Sequence, residues 1–183
     1  MISNKGMLFI GSGTRIRGTK LISFGRGVTI DDGSLIDALS YDGVRFGDNV
    51  SLGKRSVIEC SGSLKQLGKG IIVSSNVGLG RDCFYGCAGG IEIGSDTIIG
   101  NFVSFHSENH NIDSGALIRL QGVSHKGIKI GRDCWIGAKV TILDGVVLND
   151  GCIIAAGAVL TAGLYSAYSI YGGVPAKKIG ERR

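Results

Sequence analysis

The densest polar cluster of the chain is residues 104–113, Ser-Phe-His-Ser-Glu-Asn-His-Asn-Ile-Asp, and all three histidines, His106, His110 and His125, fall in or beside it. An alcohol is a poor nucleophile until a base removes its proton as it attacks. A histidine with its ordinary pKa of about 6.5 is neutral and able to take that proton near pH 7. The chemistry on offer is therefore activation of a hydroxyl for group transfer. Glu108, two residues before His110, either holds an imidazole tautomer, binds acceptor hydroxyls or is a solvated loop acid. His106 and His110 stand four apart around Glu108, a spacing superficially like that of metal ligands.

The elements that must carry this cluster show in a period of six. Large aliphatics occupy Ile130, Ile136, Ile142, Leu148, Ile154 and Leu160, and small or β-branched residues follow four later at Cys134, Val140, Val146, Cys152 and Ala158. The same register is read at Ile93, Ile99 and Phe105, at Val73, Leu79 and Tyr85, at Phe46, Leu52 and Ile58, and at Ile10, Ile16, Ile22 and Val28. Six fits neither a helix nor a long alternating strand. Gly-aliphatic-x-apolar recurs at Gly27-Val28-Thr29-Ile30, Gly43-Val44-Arg45-Phe46, Gly70-Ile71-Ile72-Val73, Gly90-Ile91-Glu92-Ile93 and Gly127-Ile128-Lys129-Ile130, each a short strand entered from a turn. One hexad makes one strand and one corner, three close a triangular coil, and stacked coils satisfy each other's backbone hydrogen bonds. Gly47-Asp48-Asn49, Gly94-Ser95-Asp96 and Gly131-Arg132-Asp133 supply tight corners.

Composition agrees. Glycine takes 32 of 183 positions against a single proline, Pro175, which excludes collagen and argues against a helical bundle. Five scattered cysteines (Cys60, Cys83, Cys87, Cys134 and Cys152) and a start without an apolar run suggest a reduced, cytoplasmic protein. Residues 151–176 carry no charge, but their glycines, serines and tyrosines and the repeat running into them argue against a membrane span. A net charge of +5 and the tail from Lys177 to Arg183 would favour an anionic ligand, yet no aromatic platform accompanies them, so nucleic acid is discounted.

The hexads with Ile-Gly-x-x-small-x character resemble the hexapeptide-repeat transferases. In the second half the run from Ile130 to Gly145 and Gly172-Gly-Val-Pro-Ala-Lys-Lys-Ile are similar to the galactoside, maltose and polysaccharide O-acetyltransferase branch. The resemblance implies an all-β fold, a left-handed parallel β-helix over residues 1–163 with an excursion at 106–128, and a capping segment at 164–183. It implies an acetyltransferase that moves acetyl from acetyl-CoA to a sugar or polysaccharide-precursor hydroxyl, a homotrimer with sites between subunits, and no metal. Counting without a gap from Ile91, the family's catalytic base falls on His110. Trp135 becomes a wall near the reacting centre, pointed outward by the register. Ala138 and Ala156 line the pantetheine arm, Thr161 lies near the adenine and Lys177 contacts phosphate. Asp82 is the ungapped counterpart of a sugar-binding asparagine. Ala162 stands where relatives carry lysine, removing one phosphate contact.

Other readings stay open. An N-acetyltransferase of an amino sugar needs the same base. Zinc-dependent carbonic anhydrases of this fold take one ligand from well before the other two, and no histidine precedes His106 here. A non-catalytic scaffold would not need the excursion, about 19 residues beyond the repeat, that begins after Phe105. A smaller excursion, near residues 59–68, shows only loop character.

Overall fold

The computed structural model describes residues 2–63 and 66–183; part of the smaller excursion, Leu64 and Lys65, lies outside them. Short strands stack into three parallel sheets, the faces of a triangular prism, and the architecture is the expected left-handed parallel β-helix. The first face runs from Ser3–Asn4 to Gly163–Tyr165 in eight strands. The second runs from Leu8–Ile10 to Ser169–Gly172, with Lys177–Glu181 added at its end. The third runs from Arg15–Arg17 to Val159–Leu160 in seven. Among the described residues the only helices are the 3-10 turns Thr19–Leu21 and Ile118–Leu120, and no helix is long and apolar enough to cross a membrane.

The hexad explains the prism. Strands Ile71–Val73, Ile91–Ile93 and Ile128–Ile130 of the first face bury their outer two residues and turn the middle one to solvent. The repeat's aliphatics stack in columns, Ile99 on Ile136 on Ile154 and Phe105 on Ile142 on Leu160, while Cys134, Val140, Cys152 and Ala158 are fully buried beside them. The corners turn through left-handed backbone, with φ of 55° at Asn49, 60° at Asp96 and 54° at Asp133, where short polar side chains tolerate it.

Two expectations need correction. Ile22 and Val28 do not continue the column of Ile10 and Ile16. The 3-10 turn Thr19–Leu21 adds two residues, so that Phe24, Ile30 and Ile36 stack with Phe46, Leu52 and Ile58, and Ile22 and Val28 fill the neighbouring inward positions. The helix also runs past 163. Gly163–Tyr165 and Ser169–Gly172 still pair in parallel, with Tyr165 beneath Leu148 and Tyr171 beneath Ile154, so the cap is 173–183. The step from Leu160 to Tyr165 is five residues where the repeat has six, which takes this last coil out of the hexad register.

All insertions leave at one corner, between the third face and the first. Partners in successive coils are 18 residues apart at Ile130↔Leu148, but 20 at Ile71↔Ile91, 22 at Ile22↔Val44, 27 at Val44↔Ile71 and 37 at Ile91↔Ile128. The faces keep their pairing because the extra residues bulge outward from that edge.

Candidate active site

The longest insertion, residues 107–127, leaves the third face after Ser104–His106 and doubles back as an antiparallel hairpin, Asn109–His110 against Val123–Ser124. Its fastening is Asp144, only 4% exposed, on the next coil at the same corner. The Asp144 carboxylate accepts the backbone amides of Lys126 at 2.9 Å and Gly127 at 2.8 Å and the Asn109 side-chain amide at 3.2 Å. Farther out, Gln121 donates to the carbonyls of Asp113 and Ala116 and accepts the Asp113 amide. The Asn111 side chain donates to the Gln121 carbonyl. Asp144 does not stand out in the sequence, because it acts on residues distant along the chain.

The hairpin presents His110 to solvent, and its imidazole has no hydrogen-bond partner among the described residues. A neutral imidazole so placed has a ring nitrogen available to a proton. His106 sits lower, on the third face, its ring 5.6 Å from that of Phe84. His106, Phe84 and Glu108, with Glu59, Gly86 and Ser107, line an open hollow of about 520 Å³ including its mouth, beside the corner. Aromatic faces flanked by carboxylates suit a polyhydroxylated ring, whose C–H face packs on the aromatic group while its hydroxyls donate to the acids. Among the described residues no three potential ligands converge to hold a metal ion.

A second groove, of about 900 Å³ including its mouth, follows the second face to its corner with the third. Trp135, 56% exposed, stands on the face between Ile98 and Ile153. The stepped corner is made of Gly100-Asn101, Gly137-Ala138 and Ala155-Ala156. Only small side chains fit there: a Cβ on Gly137 would lie 2.6 Å from the Ala156 amide nitrogen. The lining carries no charged side chain, which fits a long, thin, neutral arm bearing amides. Lys177 lies farther along the same corner, exposed beside Gly172.

The structure thus brings Trp135, Ala138 and Ala156 together, with Lys177 beyond them, and puts Glu108 in the hollow. It does not bring the others to these places. His110 projects from a different edge of the prism than the groove. Thr161 lies past the far edge of the third face, where its amide and carbonyl bond the Tyr165 hydroxyl. Asp82 occupies a left-handed corner, φ 54°, with both carboxylate oxygens 2.7 Å from Arg55. All five cysteines are free and buried. Burial pushes the Cys83 and Cys87 thiols up, away from the thiolate form.

Comparison with known proteins agrees with the repeat. The family model described as bacterial transferase hexapeptide (six repeats) matches residues 127–162. A protein of Mycobacterium tuberculosis named "Probable acetyltransferase Rv3034c" is 32% identical over 187 residues; the alignment covers all of this chain and 52% of that protein, so the chain spans about half the length of its relative. Among solved structures, the N-acyltransferase AntD of Bacillus cereus, in complex with dTDP and 3-hydroxybutyryl-CoA, superposes with a TM-score of 0.67 at 19% identity, covering 100% of this chain and 84% of that one. Its mutant form with dTDP and coenzyme A gives 0.66 at the same identity, with coverage of 99% and 84%. The resemblance in the motifs is borne out, and the AntD likeness is one of fold.

Proposed function

We propose that this chain, a hexapeptide-repeat protein, is an acyltransferase that moves an acetyl group from acetyl-CoA to a hydroxyl of a sugar or polysaccharide precursor. The observation that carries the reading is the clasp at Asp144, a buried carboxylate spent on holding a hairpin whose exposed histidine has no partner of its own. His110 takes the hydroxyl proton as the oxygen attacks the thioester carbonyl. The acyl–oxygen bond forms, the carbon–sulfur bond breaks, and the imidazolium gives the proton to the departing thiolate. The groove at Trp135, Ala138 and Ala156 receives the pantetheine arm, and Lys177 lies in line for a phosphate. The hollow at Phe84, His106 and Glu108 receives the acceptor.

Hairpin and groove sit on different edges of one prism, so the complete site is shared between copies in a homotrimer, His110 from one and Trp135 from its neighbour. Sedimentation as a monomer at assay concentrations would refute that arrangement. The direct test follows thiol release from acetyl-CoA with a panel of neutral sugars and amino sugars. His110→Ala is expected to lower turnover on the order of 10²–10⁴-fold with coenzyme A binding retained. Turnover of amines alone would make the enzyme an N-acyltransferase, the activity in AntD's name. Full activity of the variant would remove His110 from the mechanism.

A further inference from the structure

One residue of the hollow beside the hairpin is a glycine for no conformational reason. Gly86 ends strand Phe84–Gly86 facing outward, paired to Glu59 on the coil before it and to His106 on the coil after it. Its φ lies outside the left-handed region, so the backbone there is open to residues with a side chain. A glycine paired on both sides weakens a strand and marks a place where something must approach closely. A Cβ on Gly86 would lie 2.9 Å from Phe84 Cε1 and 3.1 Å from the Phe105 carbonyl oxygen, so the missing side chain lets the Phe84 ring lean across the strand. The gap it leaves in the outward column, between Glu59 and His106, is the floor of the hollow.

The walls carry the charge. The side chains of Glu59 and Glu108 make no ion pair or hydrogen bond among the described residues, whereas Asp37, next to Glu59 in the same column, is paired to Arg17 at 3.4 Å. No lysine or arginine stands among the described residues of the lining; Lys69 and Lys126 line a separate hollow across the corner, on the first face. The buried Ser107 hydroxyl donates to the Gly86 carbonyl at 2.7 Å and accepts the Gly89 amide at 2.9 Å, which ties the foot of the hairpin, and with it Glu108, to the same floor. Ring, floor and unpaired carboxylates therefore belong to one built hollow.

We propose that Gly86 is the specificity-determining residue of the acceptor site, and that the acceptor is a saccharide ring free of phosphate. The ring lies over Gly86 with its C–H face against Phe84, and its hydroxyls donate to Glu59 and Glu108. A phosphate group brings about two negative charges near pH 7. Placed here it meets two carboxylates, with no cation among the described lining residues to offset them. A sugar phosphate, or a sugar linked to a nucleoside diphosphate, is therefore the poorer acceptor. The inference rests on the acyl-transfer reading of this hollow and narrows the class of its acceptor.

The test sets the methyl glycosides of glucose, galactose and mannose against the matching hexose 1-phosphates and dTDP-glucose. Thiol release from acetyl-CoA gives the rate, and saturation-transfer NMR of the same sugars without acetyl-CoA gives binding. At least one methyl glycoside is expected to be acetylated, with its 1-phosphate poorer by at least about tenfold in kcat/KM. Glu59→Gln combined with Glu108→Gln should narrow that gap to about threefold or less by removing the repulsion. Gly86→Ala is expected to raise KM for the glycoside about tenfold, with KM for acetyl-CoA and the melting temperature unchanged, because the added methyl fills the floor and displaces the Phe84 ring. Should Gly86→Ala fail to fold, Phe84→Leu, which removes the ring and leaves the floor, is expected to weaken the glycoside to a similar degree. Equal or better use of the phosphorylated or nucleotide-linked sugars overturns the proposal. So does a gap unmoved by the glutamate variant, or an unchanged acceptor KM in Gly86→Ala or Phe84→Leu. Absence of transfer to every sugar would count against the acyl-transfer reading, and the NMR then decides the hollow: saturation of a methyl glycoside that Gly86→Ala abolishes sustains it as a saccharide site, and no saturation overturns it.

Discussion

Asp144→Ala removes the acceptor of two backbone amides and one side-chain amide at the base of the hairpin. A buried donor left without an acceptor costs roughly 1–3 kcal/mol. The two amides lie at a corner that can open to water, so their joint loss falls in the lower part of twice that range, at about 2–4 kcal/mol. The damage should stay local. The Gly145 amide still donates to the Gly127 carbonyl, and the Ile128 amide to that of Gly90, so the coil keeps its register below the loop. Amide exchange by mass spectrometry is therefore expected to quicken in 107–127 far more than along the faces, with a modest fall in the urea midpoint. Asp144→Asn keeps one oxygen but turns its own amide hydrogens on a remaining donor, and should cost about half as much. In steady state, Asp144→Ala should lower kcat and spare KM for acetyl-CoA, whose groove lies on another edge. A wild-type midpoint with wild-type exchange in 107–127 would refute the clasp. A raised KM with unchanged kcat would refute the separation of hairpin and groove.

Trp135→Ala is expected to raise KM for acetyl-CoA about tenfold while leaving the melting temperature nearly unchanged, since an exposed side chain contributes little to the core; a large loss of stability would make it a packing residue. The five buried thiols should resist an aromatic disulfide reagent in the native protein and all react after unfolding, which a thiol titration with and without denaturant reads directly. The Arg26 backbone amide, followed by its guanidinium, holds the Asp48 carboxyl below its ordinary range. That contribution is present above the unfolded carboxylate pKa and lost as pH falls through the lowered one. The gap in urea midpoint between wild type and Asp48→Asn should therefore narrow from about pH 6 towards about pH 2–3.

The prism was legible because its rule is local: an aliphatic every six residues and a small residue four later can each be checked within one hexad. The rule fails where aliphatics recur at the right spacing for another reason. Ile22 and Val28 are inward-facing, but in the neighbouring columns, and nothing in Thr19-Lys20-Leu21 announces two added residues. The rule also loses the last coil, because Leu160 to Tyr165 is one residue short of the repeat. In the site, Trp135 pointed outward as its register required, and the loop with its histidines was found from the break in period. Asp144 was not, because its partners lie 17, 18 and 35 residues away and only folding brings them to one corner.

The common exit of every insertion also sets the order in which the chain can assemble. In a stack where each coil touches only its neighbours, every step closes a loop as long as the coil it adds. From Ile128 to Gly172 each closure spans 18 residues or fewer, whereas joining Ile91 to Ile128 spans 37. A doubling of loop length adds about 0.6 kcal/mol of closure entropy, before the cost of ordering the hairpin itself. Zippering should thus nucleate separately on the two sides of the long insertion and join last across it, and pulse-labelled exchange that protected both blocks together would exclude this order. The segment that carries His110 is then also the kinetic seam of the molecule, the last part of the helix to close and the first to open.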